Sequence, residues 1–598
     1  MTSTTLLQEL RAISKHLSGK RKGQLILLLI LMILVSCSEV LGVASIIPFL
    51  AVLENSSRLL NNELIKPLLS HLNITTPQEL LIAIVAGFIG ITITTNVLRI
   101  FSIHIQNQLA ARLSFDLSSK LYHQLLLQPY IFYTQHHSSE LGSIMGFANA
   151  MSSNMFMPGL QIITNSFVAI ALFLGILFID GKVAIAMSAI LVVAYVLIYN
   201  WRKHRLAQNS ILISQSQTNL SKVTYESLGN IKDVILSAKA NFFTHSYQQS
   251  FWVFNRGNAD NNTIFLTPRY LIEMLAMTCI ALLALSIGRG GDFSRSVPIL
   301  GSLALSANRL LPALQQSFAS IATIQGYREQ SRIVLQALER SYDPLQEFVP
   351  KQVLPLHHSL TIDHVWFRYR EESSWVLQDL CLTIPARSRV GFVGTTGSGK
   401  STTADLILGL LQPEKGEILV DDLPLVGERL RAWQLGVAHV PQSIFIADTT
   451  VAGNIAFGVP ESEIDWEQLT KAAQLAQIAD FIESLPQGYH TTVGERGIRL
   501  SGGQRQRIGI ARALYREAKV IIFDEATSAL DNTTERELMS AINSLSQDLT
   551  IILIAHRLTT VEKCDRIFEF SQGRVIHSGT YAELLEKSES FRRMAISA

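Results

Sequence analysis

One segment indicates the fold of the C-terminal part of this 598-residue chain: Val390-Gly-Phe-Val-Gly394-Thr-Thr-Gly397-Ser-Gly399-Lys400-Ser401. An apolar run leads into a glycine-rich turn, and a helix-like run, Thr402 to Leu411, follows it. The turn fits the pattern G-x-x-x-x-G-K-[ST] in the strand–turn–helix context that this pattern requires. Backbone N–H groups of such a turn surround phosphate oxygens at a helix N-terminus, where the helix dipole favours anions. The sequence therefore predicts a nucleotide-binding α/β domain.

Side chains around the turn complete a predicted site for ATP and Mg²⁺. Lys400 should reach the β- and γ-phosphates, and Ser401 should offer its hydroxyl to Mg²⁺. A second apolar run, Val520 to Phe523, ends in Asp524 and Glu525. Asp524 is placed to hold Mg²⁺ through water, and Glu525 to polarise the water that attacks the γ-phosphate. The predicted phosphate-binding residues are Gly394, Gly397, Ser398, Gly399, Lys400, Ser401 and Thr402.

The N-terminal part has the composition of a membrane protein. Of all residues 48% are hydrophobic and 16% charged, against about 25% charged in soluble domains, and mean hydropathy is +0.27. A bilayer core of about 30 Å needs about 20 apolar residues per helix. Buried helices of a soluble protein are the alternative, but six apolar runs in one half favour six membrane helices. They lie near 24–53, 80–104, 157–179, 182–201, 264–288 and 297–324.

The chain divides into three parts by composition. We expect a transmembrane domain over 1–340 and a linker over 341–357, which holds three prolines among polar residues. From 358 to 598, short Val/Ile/Leu runs alternate with helical patterns, as in an α/β domain with a mainly parallel sheet. The net charge of +2 argues against a nucleic-acid partner.

The distribution of Lys and Arg predicts a multi-pass topology with both termini in the cytoplasm. The polar segments 105–156 and 202–263 carry most of the basic residues and are expected to extend the membrane helices into the cytoplasm. On the other side, 54–78 has leucines every four residues, which suits either a helix on the membrane surface or a loop that caps the bundle. Four cysteines, at 37, 279, 381 and 564, have no C-x-x-C spacing and are expected to be buried free thiols.

Leu500-Ser501-Gly502-Gly503-Gln504 resembles the signature of ATP-binding-cassette (ABC) exporters. The resemblance implies an α-helical six-helix transmembrane domain with long intracellular helices, followed by an α/β P-loop ABC nucleotide-binding domain. It implies that Gln442 is the Q-loop glutamine, a catalytic residue that also binds Mg²⁺, and that His556 is the catalytic switch histidine. Tyr369 would stack on adenine, and Asp531 would belong to the ATP-binding set together with Ser501, Gly502, Gly503 and Gln504.

The same resemblance implies a homodimer, because the chain has one cassette and one membrane half. In this family, ATP lies between the P-loop of one cassette and the signature of the other. Ser501 and the N–H groups that follow it, at the start of a helix, would form a second anion-binding site. Segments near 130–142 and 236–246 would be the coupling helices.

Ionisable residues in the apolar runs are the best sequence evidence for the substrate class. A charged side chain in the bilayer costs free energy, so such residues usually serve a function. Arg99, Arg269 and Arg309 fall at similar depth and would form a cationic belt for phosphate oxygens. Two local explanations remain open: Arg269 pairs with Glu273 one turn away, or Arg99 extends to the interface.

The membrane half resembles bacterial lipid-linked oligosaccharide flippases and half-transporters for envelope polysaccharide. The resemblance rests on Glu39 with Pro48-Phe49, Val97-Leu-Arg99, Pro268-Arg269 with Glu273, and Arg309-Leu-Leu-Pro312. Gln316 departs from it, since these flippases can carry a further arginine there. It implies a bacterial inner-membrane protein that moves a lipid or lipid-linked glycan. A general lipid or multidrug exporter, and an ATP-gated channel or regulatory subunit, are the alternatives.

Overall fold

The computed structural model describes residues 11–13, 15–46, 48–49, 52–53, 76–179, 181–288, 293–524, 549–555 and 557–597. Within these ranges it does not describe the side chains of 176, 178–179, 181–184, 186–188, 190–191, 276, 279–280, 283–288, 293–309 and 597. The chain forms two compact units. One comprises 1–126 and 136–341, and the other comprises 127–135 and 342–598. We call them the helical unit and the cassette unit.

The described residues before 341 are mostly helical. They form α1 (Gly19–Ala44), α2 (Pro77–Leu126), α3 (Tyr130–Gln135), α4 (Ser138–Met151), α5 (Met157–Ile179), α6 (Gly181–Gly229), α7 (Ile231–Leu236), α8 (Ala240–Gly288), α9 (Phe293–Gly326) and α10 (Arg328–Leu338). Helix α3 belongs to the cassette unit, and the others belong to the helical unit.

Several of these helices are far longer than a bilayer requires. Helix α2 has 50 residues and α6 and α8 have 49 each, and 50 residues extend about 75 Å. Among the described residues, three helical segments are long and apolar enough to cross a membrane: Gly19–Ala44, Pro77–Leu126 and Ser138–Gly175. The other three predicted spans lie within α6, α8 and α9. Most of the predicted amphipathic segment 54–78 lies outside the described residues.

The first membrane helix starts earlier and ends earlier than its apolar run suggests. The Ser18 side chain accepts a hydrogen bond from the backbone N–H of Arg21, and this cap sets the start of α1 at Gly19. Helix α1 ends at Ala44, where Ser45 is its cap and donates its hydroxyl to the carbonyl of Gly42 at 2.8 Å. Residues 46, 48–49 and 52–53 beyond this break are again helical. A serine that bonds to nearby backbone competes with helix continuation.

A single π-helical turn, Ser152–Phe156, joins α4 to α5. Met155 and Phe156 are buried, so this turn packs within the helical unit. A π-turn closes its hydrogen bonds over five residues instead of four. It therefore adds a residue to what would otherwise be one continuous α-helix.

The cassette unit alternates strands and helices. Its strands are β1 (Ser359–Phe367), β2 (Leu377–Pro385), β3 (Arg389–Gly394), β4 (Lys415–Val420), β5 (Leu423–Pro424), β6 (Val437–Val440), β7 (Val520–Asp524), β8 (Thr550–Ile554), β9 (Arg566–Ser571) and β10 (Arg574–Gly579). Its described helices of eight or more residues are α11 (Lys400–Ile407), α12 (Gly427–Gly436), α13 (Trp466–Leu475), α14 (Gly502–Tyr515) and α15 (Glu589–Ser597).

Two sheets form the cassette unit. The order β2-β1-β4-β5 is antiparallel, and the order β10-β9-β3-β8-β7-β6 is parallel except for β10. Nearly every residue of β3, β7 and β8 is buried, which explains why these strands are continuous Val/Ile/Phe runs and do not alternate with polar residues. The parallel register brings the carboxyl ends of β3, β8 and β7 to one edge.

The cysteine prediction holds in part. Cys37, Cys381 and Cys564 are free thiols. Cys564 is buried, and burial raises the pKa of its thiol to about 12, so it stays protonated. The expectation of burial is wrong for Cys37 and Cys381, which are exposed. Cys37 lies in an apolar run, but its side chain points away from the packed face of α1. The side chain of Cys279 lies outside the described residues.

Candidate functional site

The glycine-rich turn has the backbone that a phosphate-binding loop needs. Gly394, Gly397 and Gly399 have φ of +144°, +79° and +104°, which side chains with a Cβ rarely adopt. A Cβ on Gly394 would lie 2.2 Å from the carbonyl oxygen of Phe570 in β9. A Cβ on Gly397 would meet nothing within 4 Å, so this part of the turn faces open space. Gly399 caps α11, whose N-terminus starts at Lys400.

Two polar side chains in the turn are arranged to receive an anion. Lys400 is 5% exposed, and its ammonium donates to the carbonyls of Gly394 at 2.7 Å and Thr395 at 3.0 Å. The hydroxyl of Ser398 is buried and has no hydrogen-bond partner among the described residues. A buried polar group without a partner is costly. A phosphate oxygen in the turn would supply that partner, so these residues fit ATP.

The turn allows a prediction with a matched pair of variants. Gly397→Ala should cost only the strain of a left-handed conformation, about 1–2 kcal/mol. Gly394→Ala should cost about 2–5 kcal/mol, because its Cβ also collides with the Phe570 carbonyl. Thermal unfolding of the two purified variants beside the wild type measures the difference. Equal unfolding midpoints for the two variants would contradict this geometry.

Asp524, the carboxylate predicted to hold Mg²⁺, lies at the edge formed by the parallel strands. Ile554 in β8 is paired with Phe392 of β3 on one side and Asp524 of β7 on the other. The turn that follows Phe392 and the side chain of Asp524 thus flank the same strand end. Burial and the negative charge of Asp524 raise the pKa of Asp405 in α11 to about 6. The carboxyl groups of Asp405 and Asp524 at this edge are suited to a cation such as the predicted Mg²⁺.

That shifted carboxyl group predicts a pH dependence of stability. The pKa of Asp405 is about 6 in the fold against 3.8 unfolded, so the folded chain binds more protons between these values. Stability should therefore fall as pH rises from about 4 to about 6. Asp405→Asn should remove this contribution and raise the unfolding midpoint at pH above about 6. Asp422→Asn, in an exposed turn, is the matched control. An unchanged pH profile in Asp405→Asn would disprove the assignment.

Three of the predicted residues cannot be placed. Glu525, His556 and Asp531 lie outside the described residues, so their roles stay predictions. Gln442 is exposed and follows β6, the neighbour of β7 in the sheet. Its predicted contact with Mg²⁺ also stays a prediction.

Tyr369 lies beside the glycine-rich turn. Its hydroxyl is 3.2 Å from the Thr402 hydroxyl, and its ring contacts Phe367 edge-on with centroids 5.1 Å apart. Helix α3 packs here as well. The amide of Gln135 donates to the Tyr369 carbonyl at 3.1 Å, and Ile131 packs against the core of the cassette unit. The first of the two predicted coupling segments therefore contacts the residue predicted to stack on adenine.

The signature residues form the start of α14. The Ser501 hydroxyl accepts from the backbone N–H of Gln504 at 3.2 Å, and the Gln504 side chain accepts from the Ser501 N–H at 2.8 Å. This reciprocal capping box leaves Gly502 and Gly503 as the first residues of the helix. Ser501 is exposed. Two mutual bonds thus fix the orientation of the predicted second anion site.

A cavity of about 660 Å³ lies in the helical unit. Helices α1, α2, α5 and α9 contribute its walls. The lining residues are Val35, Glu39, Arg99, Ser102, Ile103, Gln106, Met157, Gln161, Thr164, Asn165, Val168, Pro312, Ala313 and Gln316.

The three arginines of the predicted belt differ in their surroundings. Arg99 lines the cavity and pairs with the buried Glu39 of α1 at 3.4 Å. Arg269 is exposed, is not among the residues that line this cavity, and has its guanidinium 5.9 Å from the ring centre of Tyr270. The side chain of Arg309 lies outside the described residues. Sequence reasoning named Glu39 and Arg99 but did not predict that they pair across two helices.

Comparisons with known proteins agree with this architecture. The family model "ABC transporter" matches residues 377–528, and the model "ABC transporter transmembrane region" matches residues 44–288. A solved structure of a bacterial Atm1-family ABC exporter with ATP bound superposes with a TM-score of 0.79 over 96% of this chain and 98% of that chain. Sequence identity to it is 22%, so this likeness concerns the fold.

Curated relatives give more specific names. The ATP-dependent lipid A-core flippase of Pseudomonas aeruginosa is 31% identical over 80% of this chain and 79% of its own length. The heterocyst differentiation ATP-binding protein HepA of Nostoc sp. is 33% identical over 64% of this chain and 62% of its own length.

Proposed function

Because the chain belongs to the ABC transporter family and is therefore an ATPase coupled to transport, we propose that it is a homodimeric flippase for a lipid-linked oligosaccharide or related glycolipid. It would act in a bacterial inner membrane with both termini in the cytoplasm. The observation that carries the substrate class is the cavity of about 660 Å³ in the helical unit, which amide and hydroxyl side chains help to line. Relatives named lipid A-core flippases support a glycolipid.

The cassette unit supplies the residues for hydrolysis. Lys400 would exchange its two carbonyl bonds for phosphate oxygens. Ser401, Gln442 and Asp524 would hold Mg²⁺, which neutralises the phosphate charge when bound. Glu525 would orient the attacking water and accept its proton. His556, which follows β8 in the sequence, would contact the nucleotide. Asp531 would contact it as a member of the predicted ATP-binding set.

Exposed apolar side chains support a second copy as partner. Around α7 and the start of α8, within the second predicted coupling segment and its flanks, Ile235, Leu236 and Phe242 are 69%, 84% and 66% exposed. Such a group is costly in water and is typical of an interface. Ser501 is also exposed, as it would be if it faced the nucleotide bound by a partner cassette. Both features fit a dimer with two shared ATP sites.

Reconstitution tests the proposed function. Purified chain in liposomes is supplied with a fluorescent glycolipid, and ATP-dependent loss of label from the outer leaflet is followed with a membrane-impermeant quencher. We expect movement with wild type and ATP, and none with Lys400→Ala. Movement of hydrophobic cations but of no glycolipid would favour a multidrug exporter. An ATP-dependent ion current without lipid movement would favour a channel.

A further inference from the structure

We propose that the cavity of the helical unit recognises the uncharged, hydroxyl-rich sugar portion of the transported lipid, and that Gln161 and Gln316 are its specificity-determining residues. This inference rests on the proposed function and names the part of the substrate that the cavity binds. It follows from four amide side chains that converge there. We call them the amide cluster: Gln106, Gln161, Asn165 and Gln316.

Hydrogen bonds hold three members of the amide cluster in place, two of them by a bond between α5 and α9 and one by a bond within α2. The Gln316 amide of α9 donates to the Gln161 carbonyl of α5 at 2.9 Å, and the Ser320 hydroxyl donates to the same oxygen at 3.1 Å. Gln106 of α2 is 3% exposed and donates to the Ser102 hydroxyl at 3.0 Å. These bonds orient the side chains before any ligand arrives, which lowers the entropy cost of binding.

The bonds also leave capacity for a ligand. An amide has two donor hydrogens and a carbonyl oxygen that accepts two bonds. The Gln161 oxygen accepts from Gln316 and Ser320, and the described contacts use neither of the two Gln161 amide hydrogens. Gln316 uses one hydrogen in the described contacts and keeps its other hydrogen and its oxygen. The cluster therefore offers donors and acceptors together.

Sugar hydroxyls match that combination, because each hydroxyl both donates and accepts. An ionised phosphate only accepts, so it would leave the Gln316 carbonyl unmatched. A purely apolar drug would leave the amide donors and acceptors that the protein does not use unmatched, and a site built to bond hydroxyls rejects ligands that lack them. The cluster thus favours a saccharide over both other ligand classes.

The charges of the cavity point the same way. Among the described lining residues, the ionisable ones are Glu39 and Arg99, and they face each other at 3.4 Å. Glu39 is 7% exposed, so the arginine compensates a buried carboxylate. The pair adds no net charge to the described lining. A volume of about 660 Å³ lies within the range of small-molecule sites, about 300–1,000 Å³.

Binding to three lipids with identical acyl chains tests the inference. Full-length chain in nanodiscs is presented with diglucosyl diacylglycerol, phosphatidic acid and diacylglycerol. We expect the diglucosyl lipid to bind most tightly. Gln316→Leu and Gln161→Leu should each weaken its binding roughly three- to tenfold, with little effect on the other two lipids. Gln316→Glu, which exchanges an amide donor for a carboxylate, should also weaken it.

A glutamine outside the cluster is the matched control. Gln108 of α2 lines a separate groove with Leu27, Leu28 and Leu31. Gln108→Leu should leave glycolipid binding and basal ATP hydrolysis unchanged. Unfolding midpoints confirm that the cavity variants fold.

Two results separate this inference from the proposed function. Tighter binding of phosphatidic acid than of the diglucosyl lipid, or unchanged glycolipid binding in folded Gln316→Leu, overturns the sugar assignment and leaves a lipid exporter. Failure of all three lipids to bind, while the wild type hydrolyses ATP, overturns the proposed function itself and the inference with it.

Discussion

Replacing Glu525 with Gln is expected to lower the rate of ATP hydrolysis at least about 100-fold, within the range ascribed to a general base. Gln keeps the size of the side chain but cannot accept a proton from water. Residues Val520–Asp524 form a buried strand beside β8. Glu525 follows directly after this strand and is the expected general base. ATP binding should persist, because Lys400 and the glycine-rich turn are unchanged. Steady-state phosphate release and nucleotide binding on the same preparation measure both properties.

An exposed glutamate, Glu562, supplies the control. Glu562→Gln makes the same exchange at an exposed position and should hydrolyse ATP like wild type. Turnover by Glu525→Gln close to that of the control would show that another group activates the water. Loss of ATP binding together with turnover would instead indicate damage to the fold.

Mixed dimers should recover ATP-dependent closure that neither parent homodimer shows. If each ATP lies between one P-loop and the partner's signature, pairing Lys400→Ala with Ser501→Arg puts both lesions in one site and leaves the other intact. In either homodimer, both sites are damaged. Lys400 is buried in the glycine-rich turn and Ser501 caps α14, so the two changes disable separate half-sites. Distances between spin labels on the two cassettes, with and without ATP, report closure.

Differently tagged subunits allow the mixed dimer to be purified. A mixture of the two homodimers, never exchanged, is its control and should show no closure. Equal closure in the mixed dimer and in this mixture would refute shared sites.

The backbone of the glycine-rich turn was predictable because its pattern is local in sequence. The turn from Gly394 to Lys400 needs its glycines where φ is positive, and the structure has positive φ at all three tested positions, Gly394, Gly397 and Gly399. The alternation of apolar strands with helices likewise predicted a parallel sheet. Both features depend on residues that are close in sequence.

Features that depend on distant residues were not predictable. Glu39 and Arg99 are 60 residues apart, and only the packing of α1 on α2 joins them. The bond from Gln135 to the Tyr369 carbonyl spans 234 residues and involves a backbone atom, so side-chain identity at 369 gives no sign of it. Exposure of Cys37 depends on which face of α1 is packed. Because α1 has apolar residues on all of its faces, its sequence pattern does not identify that face.

The π-turn at Ser152–Phe156 has a consequence for which way α5 points its polar side chains. Each additional residue advances the facing direction of an α-helix by about 100°. Met157, Gln161, Thr164 and Asn165 all line the cavity on one face of α5. The π-turn therefore determines which way the faces of α5 point relative to those of α4. Removing one residue from it would rotate Gln161 and Asn165 toward a different neighbour without altering any cavity residue.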